Sequence, residues 1–279
     1  MRIDAHQHFW QFEPREYPWM NADMEVLRRD WMPGDLRPLL EQQRLDHCIA
    51  VQARAGEGET DFLLTLATQH PWIAGVVGWV DLRADDLERR LERWQESTTL
   101  VGFRHQLQDE TNVSAFTADA AFRRGIRLLQ RRQFTYDVLV YAHQLAAVTP
   151  FCAQSTQHWL VLDHLGKPAI RNLDHSTWRR DLQSLASMPH VLCKVSGLVT
   201  EALDAAGQLN IDHLRRYLDT ALELFGPQRL MFGSDWPVCL LAAPYARVAA
   251  LIDGWSAQLS PEERSAIWGG TAARAYSLH

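Results

Sequence analysis

The sequence predicts an α/β fold, an eight-stranded (β/α)8 barrel, on three observations. Eight short apolar runs of β type recur along 279 residues, amphipathic segments of helical period lie between them, and no GxGxxG follows the first run. Near-continuous apolar strands alternating with helices indicate a parallel sheet with its outer face covered. Eight such units in about 250 residues match a closed barrel. An open, doubly wound sheet is the competing architecture, and the missing glycine fingerprint removes its usual dinucleotide-binding rationale. No repeat, low-complexity stretch or linker interrupts the chain, so residues 1–279 read as one domain.

In order, the strand-like runs are 3–9, 47–52, 73–80, 100–106, 135–140, 158–166, 191–198 and 230–237, most ending in polar or turn-forming residues. Between them, residues 61–70, 85–97, 120–132, 212–226 and 261–278 place apolar side chains three or four apart, the period of a one-faced helix. Ser260, Pro261 and Glu263 form the signature of a helix start: N-cap, first-turn proline and capping box. The longest stretch without a strand, residues 10–46, is rich in Trp, Pro and charge. On a barrel it is the loop after strand 1, long enough to roof a pocket, with a surface excursion as the plainer reading.

A formal charge of −6 argues against a nucleic-acid binder, which needs a basic stripe. It leaves an anionic small substrate open. The four cysteines, Cys48, Cys152, Cys193 and Cys239, form no CxxC pair, and two lie within apolar runs. Reduced thiols and a cytoplasmic location are therefore expected. The polar start MRIDAHQHFW is no signal peptide and no apolar run reaches membrane-span length, so neither a membrane nor a nucleic-acid partner is expected. A homo-oligomer stays open.

In a (β/α)8 barrel the functional side chains cluster at the C-terminal ends of the strands. His6 and His8 fall at the end of strand 1, Arg104 and His105 at strand 4, His164 at strand 6, Lys194 and Ser196 late in strand 7, and Asp235 at strand 8. Residues two apart in a strand share a face, so His6 and His8 converge inside. Two neutral imidazoles there suit a divalent metal or a substrate oxygen. Strands 1 and 8 are neighbours once a barrel closes, which brings Asp235 to the same wall as a general base on water. His164 is a third ligand, a proton shuttle or an oxyanion donor. Arg104 grips a carboxylate or polarises a carbonyl, and His105 faces the other way. Asp163 should point away from His164, while Lys194 faces inward if Ser196 does. Each of these residues has a structural alternative: turn aspartate, satisfied histidine, paired buried lysine. Of eleven tryptophans, Trp10, Trp19, Trp31 and Trp236 lie in or beside the pocket loops, while Trp94 and Trp268 read as core.

IDAHQHFW, GFRHQ, VLDHLGKP, KVSGL and FGSDWP, in this order along nearly the whole chain, resemble the amidohydrolase-2 type of metal-dependent hydrolase, and more closely its sugar-lactonase branch of L-fuconolactonase and L-rhamnonolactonase-like enzymes. Proteins of this type are TIM barrels. The resemblance implies metal ligands at His6, His8, His164 and Asp235, catalytic roles for Asp235 and His164, and substrate contacts from Arg104, with Lys194, Trp236 and His105 as further substrate-binding candidates. No lysine ends strand 4 where a carbamylated bridge would sit, so the resemblance implies a single divalent ion, zinc, or a metal-free site rather than a binuclear one. Its substrates are small aldonolactones. The strand-5 run lacks a histidine, and His143 follows it in the next helical turn.

The mechanism this predicts is direct attack of water without a covalent intermediate. Asp235 takes the proton, the histidines with or without zinc stabilise the oxyanion, and Arg104 and Lys194 orient the substrate. The absence of GxSxG argues against acyl-enzyme chemistry through Ser196. The rivals are a metal-dependent decarboxylase or dicarboxylate-lactone hydrolase on the same barrel, and a non-catalytic sugar-binding barrel.

Overall fold

A computed structural model describes residues 1–172, 174–203 and 207–278. Its strands are β1 (Ile3–Gln7), β2 (His47–Val51), β3 (Ile73–Gly78), β4 (Leu100–His105), β5 (Thr135–Val138), β6 (Leu160–Leu162), β7 (Val191–Val195) and β8 (Leu230–Phe232). They pair in parallel in sequence order. Closure comes from β1 meeting the tail of β8: Gln7 bridges Trp236, the His8 amide donates to the Trp236 carbonyl and the Asp235 amide to the His6 carbonyl. The Ser234 amide adds a bond to the buried Asp4 carboxylate at 2.8 Å. The chain is therefore the predicted barrel, not the open sheet.

Each strand is shorter than its apolar run at the C-terminal end. The surplus residues leave the sheet and form the mouth, which is why the polar side chains collect there. Two apolar layers fill the fold. Inside the barrel, Ile3, Ala5, Ile49, Val51, Val77, Val161 and Leu192 pack above the last helix, Thr271–Ala275, and Tyr276. Outside, a larger layer seats the helices against the strands. β1 has an irregular register between Asp4 and Gln7, so Ala5 joins the inner layer although His6 also faces inward.

The predicted helices appear as Glu57–Gln69, Leu87–Glu92, Ala120–Arg131 and Ile211–Phe225, and the last segment breaks into Pro261–Ser265, a π turn and Thr271–Ala275. Ser260 and Glu263 make the expected reciprocal bonds. The stretch 10–46 contains a 3-10 turn, Ala22–Leu27, and a helix, Pro33–Gln42. Trp94 and Trp268 are buried in the core as expected, and the four cysteines are free and buried. No helix among the described residues is long and apolar enough to cross a membrane.

Candidate active site

Three imidazoles converge on one carboxylate at the barrel mouth. From Asp235 Oδ1, His8 Nε2 lies at 3.4 Å, His6 Nε2 at 3.8 Å and His164 Nε2 at 3.9 Å. The two longer separations exceed hydrogen-bond length. They approach the spacing of about 3.3 Å that two ligands of one tetrahedral ion adopt. All four residues are at most 5 % exposed.

The far ring nitrogens are held from behind. His8 Nδ1 donates to the Val51 carbonyl at 2.7 Å, His6 Nδ1 faces Asp163 Oδ1 at 3.2 Å, and His164 Nδ1 meets Ser196 Oγ at 2.8 Å. A carbonyl can only accept, so His8 carries its proton on Nδ1 and presents a lone pair at Nε2. At His6 both the Asp163 carboxylate and the Lys194 ammonium stand 3.2 Å from Nδ1, while the guanidinium of Arg104, a donor only, faces Nε2 at 3.3 Å and calls for the lone pair there. Burial pushes His6 well below the usual imidazole range and His164 down to about 4, so both are neutral near pH 7. Neutral rings of this tautomer offer electron pairs, not protons. His6, His8 and Asp235 form one group able to hold a cation, and His6, Asp163 and His164 another. The donor set fits a single divalent ion, with Arg104 Nη1 competing at 3.3 Å for His6 Nε2. Asp235 itself is held well below the usual carboxylate range: burial would raise it, but the neighbouring imidazoles of His164, His8 and His6 outweigh burial.

Beneath this edge lies a buried charge cluster. Arg104 Nη1 donates to Asp163 Oδ2 at 2.9 Å, and Lys194 Nζ contacts Asp163 Oδ1 at 3.1 Å and Asp137. Tyr276 donates to Asp137 Oδ1 at 2.7 Å. Two cations and two anions balance, which is what makes burial of each affordable. Lys194, His6 and Arg104 overcome the effect of burial and keep the Asp163 carboxyl well below its usual range. Gly197, at φ 63°, leaves room for the His164 ring: a Cβ there would stand 2.5 Å from His164 Nδ1.

A cavity of about 310 Å³ opens onto the site. His8, His164, Asp235 and Arg104 line its floor, and the buried Arg104 Nε has no hydrogen-bond partner among the described residues. Its lining mixes the apolar side chains of Trp19, Met24, Val238 and Leu241 with the polar ones of Gln106, Gln108, Lys167, Thr200 and Glu201. Trp19 and Met24 come from the stretch 10–46, which therefore does reach the pocket.

The remaining sequence-predicted residues lie elsewhere. Lys194 is fully buried below the floor and is engaged by two carboxylates, so it does not line the cavity. Trp236 is buried against Phe9 and Trp31, and Trp10 is likewise core. His105 turns outward, bonded to Glu110 at 2.8 Å and stacked on Phe116. His143 stacks on Tyr141 outside the lining. Asp163 corrects the alternation argument: β6 stops at Leu162, the chain turns, and the carboxylate points inward with His164. Asp137, Lys167 and Glu201 were not singled out in the sequence. Asp137 was legible as the polar residue inside the apolar run of β5; the other two depend on loop geometry.

An amidohydrolase family model matches residues 3–278. A protein from Burkholderia multivorans named L-fucono-1,5-lactonase is 55% identical over 286 residues, covering 100% of this chain and 96% of the relative. A second L-fucono-1,5-lactonase, from Burkholderia ambifaria, is 32% identical over 99% of this chain and 96% of its own. The crystal structure of an amidohydrolase from Burkholderia multivorans with bound zinc matches with a TM-score of 0.96 at 55% identity, both chains covered completely.

Proposed function

The chain belongs to the amidohydrolase family, and from that membership and the barrel mouth we propose that it is a lactonase opening a sugar lactone, L-fucono-1,5-lactone or a near analogue, with activated water. The observation that carries the reading is the convergence of three imidazoles and one carboxylate at the floor of a cavity lined by both apolar and polar side chains. A 6-deoxy sugar lactone, which carries a methyl group as well as hydroxyls, suits such a mixed lining. The full-length lactonase relatives support hydrolysis over decarboxylation.

In this mechanism Asp235 accepts a proton from water as its oxygen bonds to the lactone carbonyl carbon. Water becomes strongly acidic as that bond forms, so a carboxylate with a low pKa suffices. The C–O bond to the ring oxygen then breaks, and Asp235 returns the proton to the departing alkoxide. Arg104, which lines the cavity, donates to a substrate oxygen. His6, His8, His164 and Asp235 would hold a single zinc ion, which when bound polarises a carbonyl and acidifies water. Lys194 acts from beneath by fixing Asp163, which orients His6. Four free thiols suit a cytoplasmic carbohydrate-metabolising enzyme.

The test is proton release from a panel of L- and D-sugar lactones, followed with a pH indicator before and after chelation. Rapid release from L-fucono-1,5-lactone, lost on chelation and restored by zinc, is the expected result. Release that survives chelation would remove the metal from the reading. No release from any lactone would overturn the hydrolase assignment.

A further inference from the structure

The cavity carries two opposite charges that the mechanism leaves unused. After β6 the chain passes through His164, Leu165, Gly166 and Lys167 at φ 56, 52, 68 and 46°. Left-handed backbone costs an L residue about 1–2 kcal/mol, and it persists only where the surroundings enforce it. Both His164 and Lys167, three residues apart, line the cavity. Glu201 reaches that cavity from the short helix Leu198–Glu201 that follows Gly197.

Both side chains are half-buried. Among the described residues neither the Lys167 ammonium nor the Glu201 carboxylate has a hydrogen-bond or ion-pair partner; Lys167 Nζ meets only the Tyr141 ring, 5.1 Å away. They nevertheless sense each other. Burial pushes the Lys167 amine down and the Glu201 carboxyl up, and each charge opposes the effect of burial on the other. An opposite pair held apart in a shared cavity presents one donor and one acceptor across a gap. Hydroxyl groups, which accept and donate at once, fill such a gap without carrying charge.

We propose that Lys167 and Glu201 form a hydroxyl clamp, Lys167 donating to one ring oxygen and Glu201 accepting from a neighbouring hydroxyl, so that the site selects neutral polyhydroxylated lactones over plain or carboxylated ones. This rests on the lactonase reading and names the residues that set its substrate class. The dicarboxylate-lactone alternative conflicts with it, because Glu201 would face a second carboxylate.

The experiment compares kcat/KM for L-fucono-1,5-lactone and unsubstituted δ-valerolactone in the wild type, Glu201→Gln, Lys167→Met and Lys167→Arg. Hydrogen bonds to charged groups translate into losses of about 10- to 100-fold. Glu201→Gln and Lys167→Met should each lower the ratio of the two kcat/KM values at least tenfold, chiefly through KM, while Lys167→Arg keeps more of the ratio than Lys167→Met. Glu201→Gln should also raise kcat/KM about tenfold for a lactone bearing a ring carboxylate. A ratio that stays within threefold while both lactones slow together means a structural role and overturns the clamp, as does no gain on the carboxylated lactone. A wild type inactive on both neutral lactones overturns the hydrolase reading, and the clamp with it.

Discussion

Replacing Gly197 with alanine probes the seat of His164 directly. The new methyl carbon would stand 2.5 Å from His164 Nδ1 and 2.8 Å from Cγ, at a backbone φ of 63°. Ordinary contact begins near 3.4 Å, so the ring must retreat roughly 0.9 Å, and the 2.8 Å bond to Ser196 then breaks. A misplacement near 1 Å can cost about 100-fold in rate. The left-handed alanine adds about 1 kcal/mol and the crowding about 1–3 kcal/mol, which together lower Tm by about 5–10 °C. The assay is kcat/KM for L-fucono-1,5-lactone well below Tm, beside a thermal melt. Gly226→Ala serves as control: at φ 69°, ψ 162° its backbone penalty is at least as large as that of Gly197, and nothing lies within 4 Å of the new carbon, so it carries strain without the collision. Gly197→Ala should lose about 100-fold in kcat/KM while Gly226→Ala loses stability alone. A Gly197→Ala enzyme within threefold of the wild type would refute the placement of His164.

Asp235→Asn should lower kcat by about 10²–10⁴-fold with KM little changed, measured by initial rates; retained kcat would remove Asp235 as base. Calorimetric titration of the chelated protein should show one zinc site that His8→Ala abolishes, whereas two equivalents would indicate a binuclear centre. Asp4 is fully buried and pushed up by burial from 3.8 to about 6. Its folded carboxyl holds its proton to higher pH than the unfolded one, so this stabilisation is full below about 4 and lost as pH rises through 6. Urea unfolding should find Asp4→Asn gaining about 2–3 kcal/mol on the wild type between pH 4 and pH 8. A constant difference would contradict the shift.

The barrel was legible because its signals are local. Apolar runs and helical periods fix strands and helices wherever the partner elements are, and the strand-end rule then located His6, His8, Arg104, His164 and Asp235 at one mouth. What failed was alternation carried past the end of a strand. β6 has three residues, Leu160–Leu162, so nothing in the run 158–166 revealed that Asp163 and His164 both turn inward. Lys194 faces inward as parity requires, but depth decides its role, and depth depends on Asp137 and Asp163 from two other strands. Trp236 follows Asp235 directly yet packs against Phe9 and Trp31, because adjacency in sequence does not set side-chain direction beyond the end of a strand. Lys167 and Glu201 acquire meaning only across a cavity that two loops build together.

The junction of β1 with the tail of β8 also has a kinetic consequence. His6 and Asp235 are 229 positions apart, among the longest separations the chain allows. Contacts of such range form late, because the loop they close carries the largest entropic penalty. Refolding experiments should therefore see helical signal return first and turnover last. During synthesis, the imidazoles of the first strand lack Asp235 until the eighth emerges, so competence for catalysis arrives in one step with ring closure. Recovery of activity thus times the final event of folding more directly than any optical signal from the helices.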